Sequence, residues 1–408
     1  MFKFFCLMLI ISFWITLCPA LDNFSENPAS IAQRTYWEIF IPGFNFNLDL
    51  DNNLLQLDDL RIFDKERYQN GYMMTEDDKK TLTADDFRLK SNFGMTFLSI
   101  GYRNFHFTFA SHNFAETKAF DKEYLKLVFY GNEVDEVYDL NAAEGSIAYS
   151  FLKSSISYGY NRPLILADYL GSVTWLDDFL TLPLTVGVKL NFYTPLYLAE
   201  LAESSQKFGS MTDSLFYSYH SLVYYSDEDS RSVLTAGLGW GLRWQLPAGQ
   251  IDFSLDDIFA GLNFRNLAAG EYDGIYVDSL LFFHNDDYDP LNESSENDSL
   301  RQSRRRISLH PSLLLGFEHR LFRDFNLFAM YRNCAFDYPR GLALGINTTL
   351  YNILSLQAAI GKSESYYFQF KTGLDTHHFG LTTGVTSYHG FFRYARGLGC
   401  ELSAFVKF

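Results

Sequence analysis

From Asn92 onward the chain places apolar side chains at alternate positions, segment after segment. Leu182, Leu184, Val186, Val188, Leu190 and Phe192 oppose Thr181, Thr185, Gly187, Lys189 and Asn191. Leu234, Ala236, Leu238, Trp240, Leu242, Trp244 and Leu246 oppose Thr235, Gly237, Gly239, Gly241, Arg243 and Gln245. Phe105, Phe107 and Phe109 alternate with Asn104, His106 and Thr108, and Ile307, Leu309, Pro311, Leu313, Leu315 and Phe317 with Ser308, His310, Ser312 and Glu318. The segments 342–350, 354–360, 366–374 and 379–387 repeat the pattern. Strand side chains alternate with period two, so each segment presents one apolar and one polar face. Several runs reach nine residues or more, the span of a tilted membrane strand, whereas soluble sandwiches use shorter ones. Tyr193, Tyr225, Trp240, Trp244 and Tyr388 fall near segment ends, as interfacial aromatic girdles do. The expected fold is all-β: a transmembrane antiparallel β-barrel of about 14 strands, an even number being the rule.

The last ten residues, 399–408, state the same constraint at its sharpest. Leu402, Ala404, Val406 and Phe408 share a face, against Glu401, Ser403 and Lys407, with Phe405 out of phase. In lipid no open sheet edge survives, so a final strand must pair with the first. A closing Phe preceded by alternating apolar residues resembles the terminal assembly signal of bacterial outer-membrane proteins, and implies the barrel-assembly machinery as a partner. At the other end, Lys3, the apolar run 4–17 and Cys18-Pro19-Ala20 read as a signal peptide over 1–20, cleaved after Ala20. The bulky Leu17 argues against Cys18 as a lipidated residue. The protein is expected to be exported to the outer membrane of a diderm bacterium, among its lipids.

Composition fits. The chain is 18% aromatic, with 40 Phe and 27 Tyr, yet its mean hydropathy is only -0.10, as regular interleaving with polar residues requires. No apolar run beyond Ala20 reaches the ~20 residues of a spanning helix. With Lys3 removed, 32 Lys and Arg face 49 Asp and Glu, a net charge of -17 that excludes nucleic acid as a partner. Two of the four Cys lie in the signal segment; Cys334 and Cys400, far apart, form neither a disulfide framework nor a metal motif.

Shortly after the cleavage position comes Asn27-Pro28-Ala29, followed by a long extended aromatic segment, Tyr36 to Leu50, bent at Pro42-Gly43. Asn-Pro favours a turn, which on its own could simply lead into the first strand. In this position, however, the motif resembles the start of FadL-like outer-membrane transporters. That resemblance implies a barrel over 35–408 whose segment 21–34 folds inside as a plug, and passage of long-chain fatty acids or other hydrophobic molecules. Glycines on the polar side of the strands (Gly187, Gly237, Gly239, Gly241, Gly345, Gly361, Gly373, Gly384) let a closed wall coil and leave room for a lumenal object.

The rhythm is interrupted in places. The insertion 51–90 is acidic, with Asp58, Asp59, Asp64, Glu66, Glu76, Asp77, Asp78, Asp85 and Asp86, but lacks the spaced ligands and turn glycine of a calcium loop and reads as a partly helical, solvated element. Helices are expected in 119–134, with Phe120, Tyr124, Leu127 and Val128 on one face, and in 198–208; segment 164–180 mixes apolar and acidic residues. Their apolar faces either dock a ligand or pack on the barrel rim. The polar loop 286–300 precedes the only basic cluster, Arg301, Arg304, Arg305 and Arg306. It could grip a carboxylate or lipid phosphate, or neutralise the acidic loop beside it.

No Gly-x-Ser-x-Gly elbow, His-Glu-x-x-His or phosphate-cradling loop is present, so no catalytic set, metal or cofactor is expected. His106, His220, His284, His310, His319, His377 and His378 read as solvated lumenal or loop residues. Three functions remain: uptake of a hydrophobic small molecule, a porin-like channel for polar solutes, and a surface adhesin anchored by its barrel.

Overall fold

The computed structural model describes residues 27–33, 37–59, 74–140, 144–165, 181–212, 214–279, 295–296, 300–322, 325–333, 340–351, 353–363 and 365–408. Residues 1–26, which include the expected signal peptide, residues 34–36, Asp64 and Glu66 of the acidic insertion, segment 166–180, His284, most of the polar loop 286–300 and Cys334 fall outside these. Within them the chain forms a closed antiparallel barrel of 14 strands. Among the described residues no helix is long and apolar enough to cross a membrane.

The strands follow one another up and down around the wall. β1 is interrupted, Trp37–Phe40 then Phe46–Asn52, and is followed by β2 (Phe87–Tyr102), β3 (Phe105–Phe120), β4 (Ile147–Leu164) and β5 (Leu184–Ser210). β6 comprises Ser214–Tyr225 and Thr235–Leu246; β7, Gly249–Ile258 and Gly261–Ser279; β8, Leu300–Ser308 and Ser312–Phe322. Then come β9 (Phe325–Asn333), β10 (Gly341–Leu350), β11 (Leu354–Lys362), β12 (Tyr366–Asp375), β13 (Phe379–Tyr388) and β14 (Gly397–Lys407). β14 pairs with β13 on one side and with both pieces of β1 on the other, in registers such as Glu38↔Lys407 and Leu48↔Cys400. Trp37 and Phe408 exchange both backbone N–H···O bonds at 3.1 Å, so the terminal aromatic residue closes the ring. Leu402, Ala404 and Val406 precede it in β14, while Lys407 pairs with Asp375 and lies over the ring of Phe405.

Apolar residues of the alternating faces point outward. Leu342, Leu344 and Ile346 of β10 are 51%, 52% and 41% exposed, while Ala343 between them is buried. A protein of this kind therefore keeps its core inside the barrel. On the side of β8 to β13, Leu314, Phe328, Met330, Ala343, Tyr367 and Tyr388 fill the lumen. Gly345 and Gly361 make room for them: a Cβ at Gly345 would overlap the Phe328 ring, and one at Gly361 the Tyr367 ring.

Two helices cover the end with the longer connections. The acidic insertion contributes α1 (Glu76–Leu82), closed by a capping box in which Thr75 Oγ1 accepts from the Asp78 N–H and the Thr75 N–H donates to Asp78 Oδ2. Glu76, Asp77 and Asp78 sit in its first turn, where the helix dipole favours negative charge. Leu54, Leu55 and Leu82 pack with Met74, Phe87 and with Leu125 and Phe129 of α2 (Lys122–Tyr130). The anticipated apolar face of α2 is thus the wrong one. Tyr124 and Val128 are exposed, because the insertion offers its leucines to the Leu125/Phe129 side.

Two further expectations are corrected. Residues 198–208 are part of β5, not a helix: a bulge between Leu201 and Glu203 shifts the register and breaks the period-two pattern. The run 307–317 is not one continuous face. β8 breaks between Ser308 and Ser312, so Ile307 and Leu309 turn inward while Leu315 and Phe317 face out.

Candidate lumenal site

Three levels stack inside the wall of β3 to β8, rising from the end that carries the shorter turns. The lowest is the segment Pro28–Gln33, a 3₁₀ helix with Asn27 immediately before it. It lies against β4, β5 and β6. Asn27, Ala29, Ser30 and Ile31 are buried. The Asn27 amide donates to the Leu242 carbonyl at 2.8 Å and to Asp252 Oδ1 at 2.7 Å, and its own Oδ1 accepts from the Ala29 N–H at 3.0 Å. Asp252 is in turn gripped by Arg243 Nε at 2.8 Å, an ion pair almost wholly withdrawn from solvent. The seat is cut by two glycines. A Cβ on Gly187 would overlap the backbone of Pro28 and Ala29, and one on Gly241 would overlap the Asn27 side chain. Pro28 suits this place: its fixed φ starts a helical turn and it brings no backbone donor to satisfy.

Above it lies a layer of paired charges. Lys189 Nζ meets Asp256 Oδ2 at 2.5 Å, and Lys153 Nζ meets Asp257 Oδ1 at 2.9 Å. Asn191 Nδ2 donates to both aspartates at 2.7 Å and takes the Ser155 hydroxyl on its Oδ1, also at 2.7 Å. Tyr193 and Ser312 donate hydroxyls to Asp257 as well. Both carboxylates reach inward from neighbouring positions because β7 breaks here. Asp257 adopts a φ of 60°, a left-handed conformation that turns it to the same side as Asp256. Gly239 leaves the space that Asp256 occupies.

The top level is apolar. Tyr149, Phe151, Tyr193, Leu198, Ala260, Leu262, Phe264, Leu267 and Leu309 form one buried cluster, joined by Phe114, Ile147, Tyr224 and Ile307. Phe151 stacks on His112, with centroids 5.1 Å apart. The breaks in β7 and β8 bring Ala260 and Leu309 into this cluster.

The arginine run is divided by its strand. Arg304, Arg305 and Arg306 alternate along β8 opposite Arg265, Phe264 and Asn263. Arg305 faces Phe264 and forks onto both carboxylate oxygens of Glu200, whereas Arg304 and Arg306 lie on the other face and are exposed. Arg301 is paired with Ala268 in the same strand. Arg305 therefore points to the opposite face from Arg304 and Arg306. Sequence reasoning also missed the pairing of Ser99 with His106, whose Oγ and Nε2 meet at 2.8 Å across the β2–β3 hairpin, with Ser99 buried. The partners of Asn27, more than 200 positions away, left no sequence signal beyond the glycines of their seat.

No family model matches the chain, and no curated protein matches it in sequence. Among solved structures it is similar to the toluene transporter TodX of Pseudomonas putida, at 10% identity and a TM-score of 0.40 over 96% of this chain and 94% of that one. It is also similar to a FadL homologue of Pseudomonas aeruginosa, at 10% identity, TM-score 0.38 and 94% and 93% coverage, and to the CymD monoaromatic hydrocarbon channel, at 10% identity, TM-score 0.40 and 93% and 90% coverage.

Proposed function

We propose that the protein takes up hydrophobic small molecules across an outer membrane, with residues 21–34 acting as a plug and without catalysing a reaction. The observation that carries this reading is the stack inside β3 to β8: a buried aromatic and aliphatic cluster above a short segment held in a glycine-cut seat by Asn27. Apolar side chains surrounded by a lipid-facing wall offer a greasy solute a path that water-filled channels do not. The ligand favoured by the charge layer is neutral. Lys153, Lys189 and Arg243 are each matched by an aspartate, so none is left over to hold a carboxylate head group. An uncharged hydrocarbon meets no such requirement, which places it ahead of a fatty acid.

Planar-bilayer conductance of the refolded protein, with and without residues 21–34, tests the plug. The full-length barrel is expected to be silent and the truncated one to carry large steady currents. Steady currents from both would replace this reading with a porin-like channel for polar solutes. Uptake into liposomes of toluene and of a long-chain fatty acid, measured side by side, then tests the ligand class; preference for the acid would overturn the neutral assignment.

A further inference from the structure

The tall wall of the barrel carries a group of metal-ligating side chains far from the lumenal stack. β9 ends at Asn333, opposite Leu313 of β8, and Asp256 of β7 is opposite the adjacent Ser312. Asp273 lies seventeen residues farther along β7 than Asp256, up to roughly 56 Å of extended chain at ~3.3 Å per residue. Even on a tilted strand this clears an apolar band about 25 Å tall. Here β5, β6 and β7 run side by side, with His220 of β6 opposite both Ser205 of β5 and Asp273 of β7. Asp273 and Glu271 are two apart on one strand and so share a face, the face of His220. Ligand atoms of His220, Glu271 and Asp273 all lie within 4.8 Å of one another.

The histidine has two distinct partners. Nδ1 meets Asp273 Oδ1 at 2.6 Å, and on the other side of the ring Nε2 faces Glu203 Oε2 at 3.5 Å. Metal-binding imidazoles commonly have this arrangement: one nitrogen turned toward the ligand set, the other held by a carboxylate that fixes the tautomer and orients the ring. Tetrahedral ligands bound at about 2.1 Å stand ~3.4 Å apart, so the Nδ1–Oδ1 pair at 2.6 Å would open slightly around an ion.

We infer that His220, Glu271 and Asp273 form a binding site for a first-row divalent transition-metal ion on the surface beyond the membrane, with Glu203 as the positioning residue behind the histidine. An imidazole beside two carboxylates suits zinc, iron, nickel or copper better than calcium or magnesium, which prefer all-oxygen sets. Nδ1 and one oxygen from each carboxylate bind the ion, water fills the remaining positions, and the Nε2 proton faces Glu203. Glu271 and Asp273 lie 51 and 53 positions from His220. No sequence motif joins them; strand register alone brings them together.

The probe is Zn²⁺, titrated into refolded, untagged protein in detergent with a chromophoric chelator as competitor. The starting variant carries His377→Asn and His378→Asn, because those adjacent rings are a second possible zinc site. One equivalent per chain is expected, undisturbed by excess Ca²⁺. It should be lost in His220→Asn and in Asp273→Asn, while Glu203→Gln should retain the stoichiometry with affinity lowered about 10–100-fold. Folding of each variant is checked by the mobility shift of unheated barrels on a gel. Unchanged zinc binding in folded His220→Asn, displacement by Ca²⁺, or no binding by the starting protein would each overturn the assignment.

Discussion

The two sides of the barrel obey the same alternation yet are built differently. β9 to β14 are 9 to 11 residues long, in register for nearly their whole length, and packed inside by rings set against glycines. β5 runs for 27 residues, and β6, β7 and β8 are each interrupted. There the lumen holds buried ion pairs, an amide network and the 27–33 segment as well as an apolar cluster. Unbroken strands give one lumenal face of fixed phase, which suits a filled, rigid wall. A break lets neighbouring residues such as Asp256 and Asp257 face the same way, which a regular strand forbids. The short side is a filled, regular wall, and the broken side is where the lumen departs from that regularity.

If so, removing one lumenal charge should cost most on the broken side. Asp252→Asn keeps an oxygen for the Asn27 amide but removes the charge that faces the buried Arg243, and should destabilise the barrel by about 3–5 kcal/mol. Urea unfolding in lipid vesicles reads this directly. A loss below about 1 kcal/mol would mean that water reaches Arg243 and that the wall there is looser than its packing suggests.

Next in size is the packing of glycine against ring on the short side. Gly361 and Tyr367 are directly opposed across β11 and β12, and the three atoms nearest a Cβ at Gly361 all belong to the Tyr367 side chain. Gly361→Ala should therefore cost about 1–3 kcal/mol by overpacking. In a Tyr367→Ala background the same substitution should cost almost nothing, which a double-mutant cycle reports as a coupling of similar size. Additive effects would show that the glycine is needed for strand curvature rather than for the ring.

The same contrast explains what the sequence revealed. Leu342, Leu344 and Ile346 announced their strand because lipid lies on one side of it and lumen on the other along its whole length. The barrel class, its closure at Phe408 and the glycines of the Asn27 seat were legible for that reason. On the broken side parity is reset. The bulge after Leu201 made a strand look helical, and the interruption at His310-Pro311 turned Leu309 inward where alternation placed it outward. The charge layer was illegible because its members come from β4, β5 and β7. Lys153, Lys189 and Asp256 each read as an ordinary polar strand residue until register brings them together.

The smallest expected effect closes the contrast. Lys371 and Glu401 form an ion pair at 2.6 Å on the short side, but the side chains retain 20% and 33% of their exposure. Solvent screens such a pair, and each partner remains hydrated when the other is removed, so Lys371→Ala should shift stability by no more than about 1 kcal/mol. Measured under the same conditions as Asp252→Asn, it separates two accounts of the lumen. If the polar groups inside are equally dry on both sides, the two variants lose comparable stability. If water enters the short side around Glu401 while the broken side is sealed by the 27–33 segment and the apolar cluster, they differ several-fold. Added salt should then weaken the Lys371 pair and leave Arg243–Asp252 almost untouched, because screening acts on charges that water can reach.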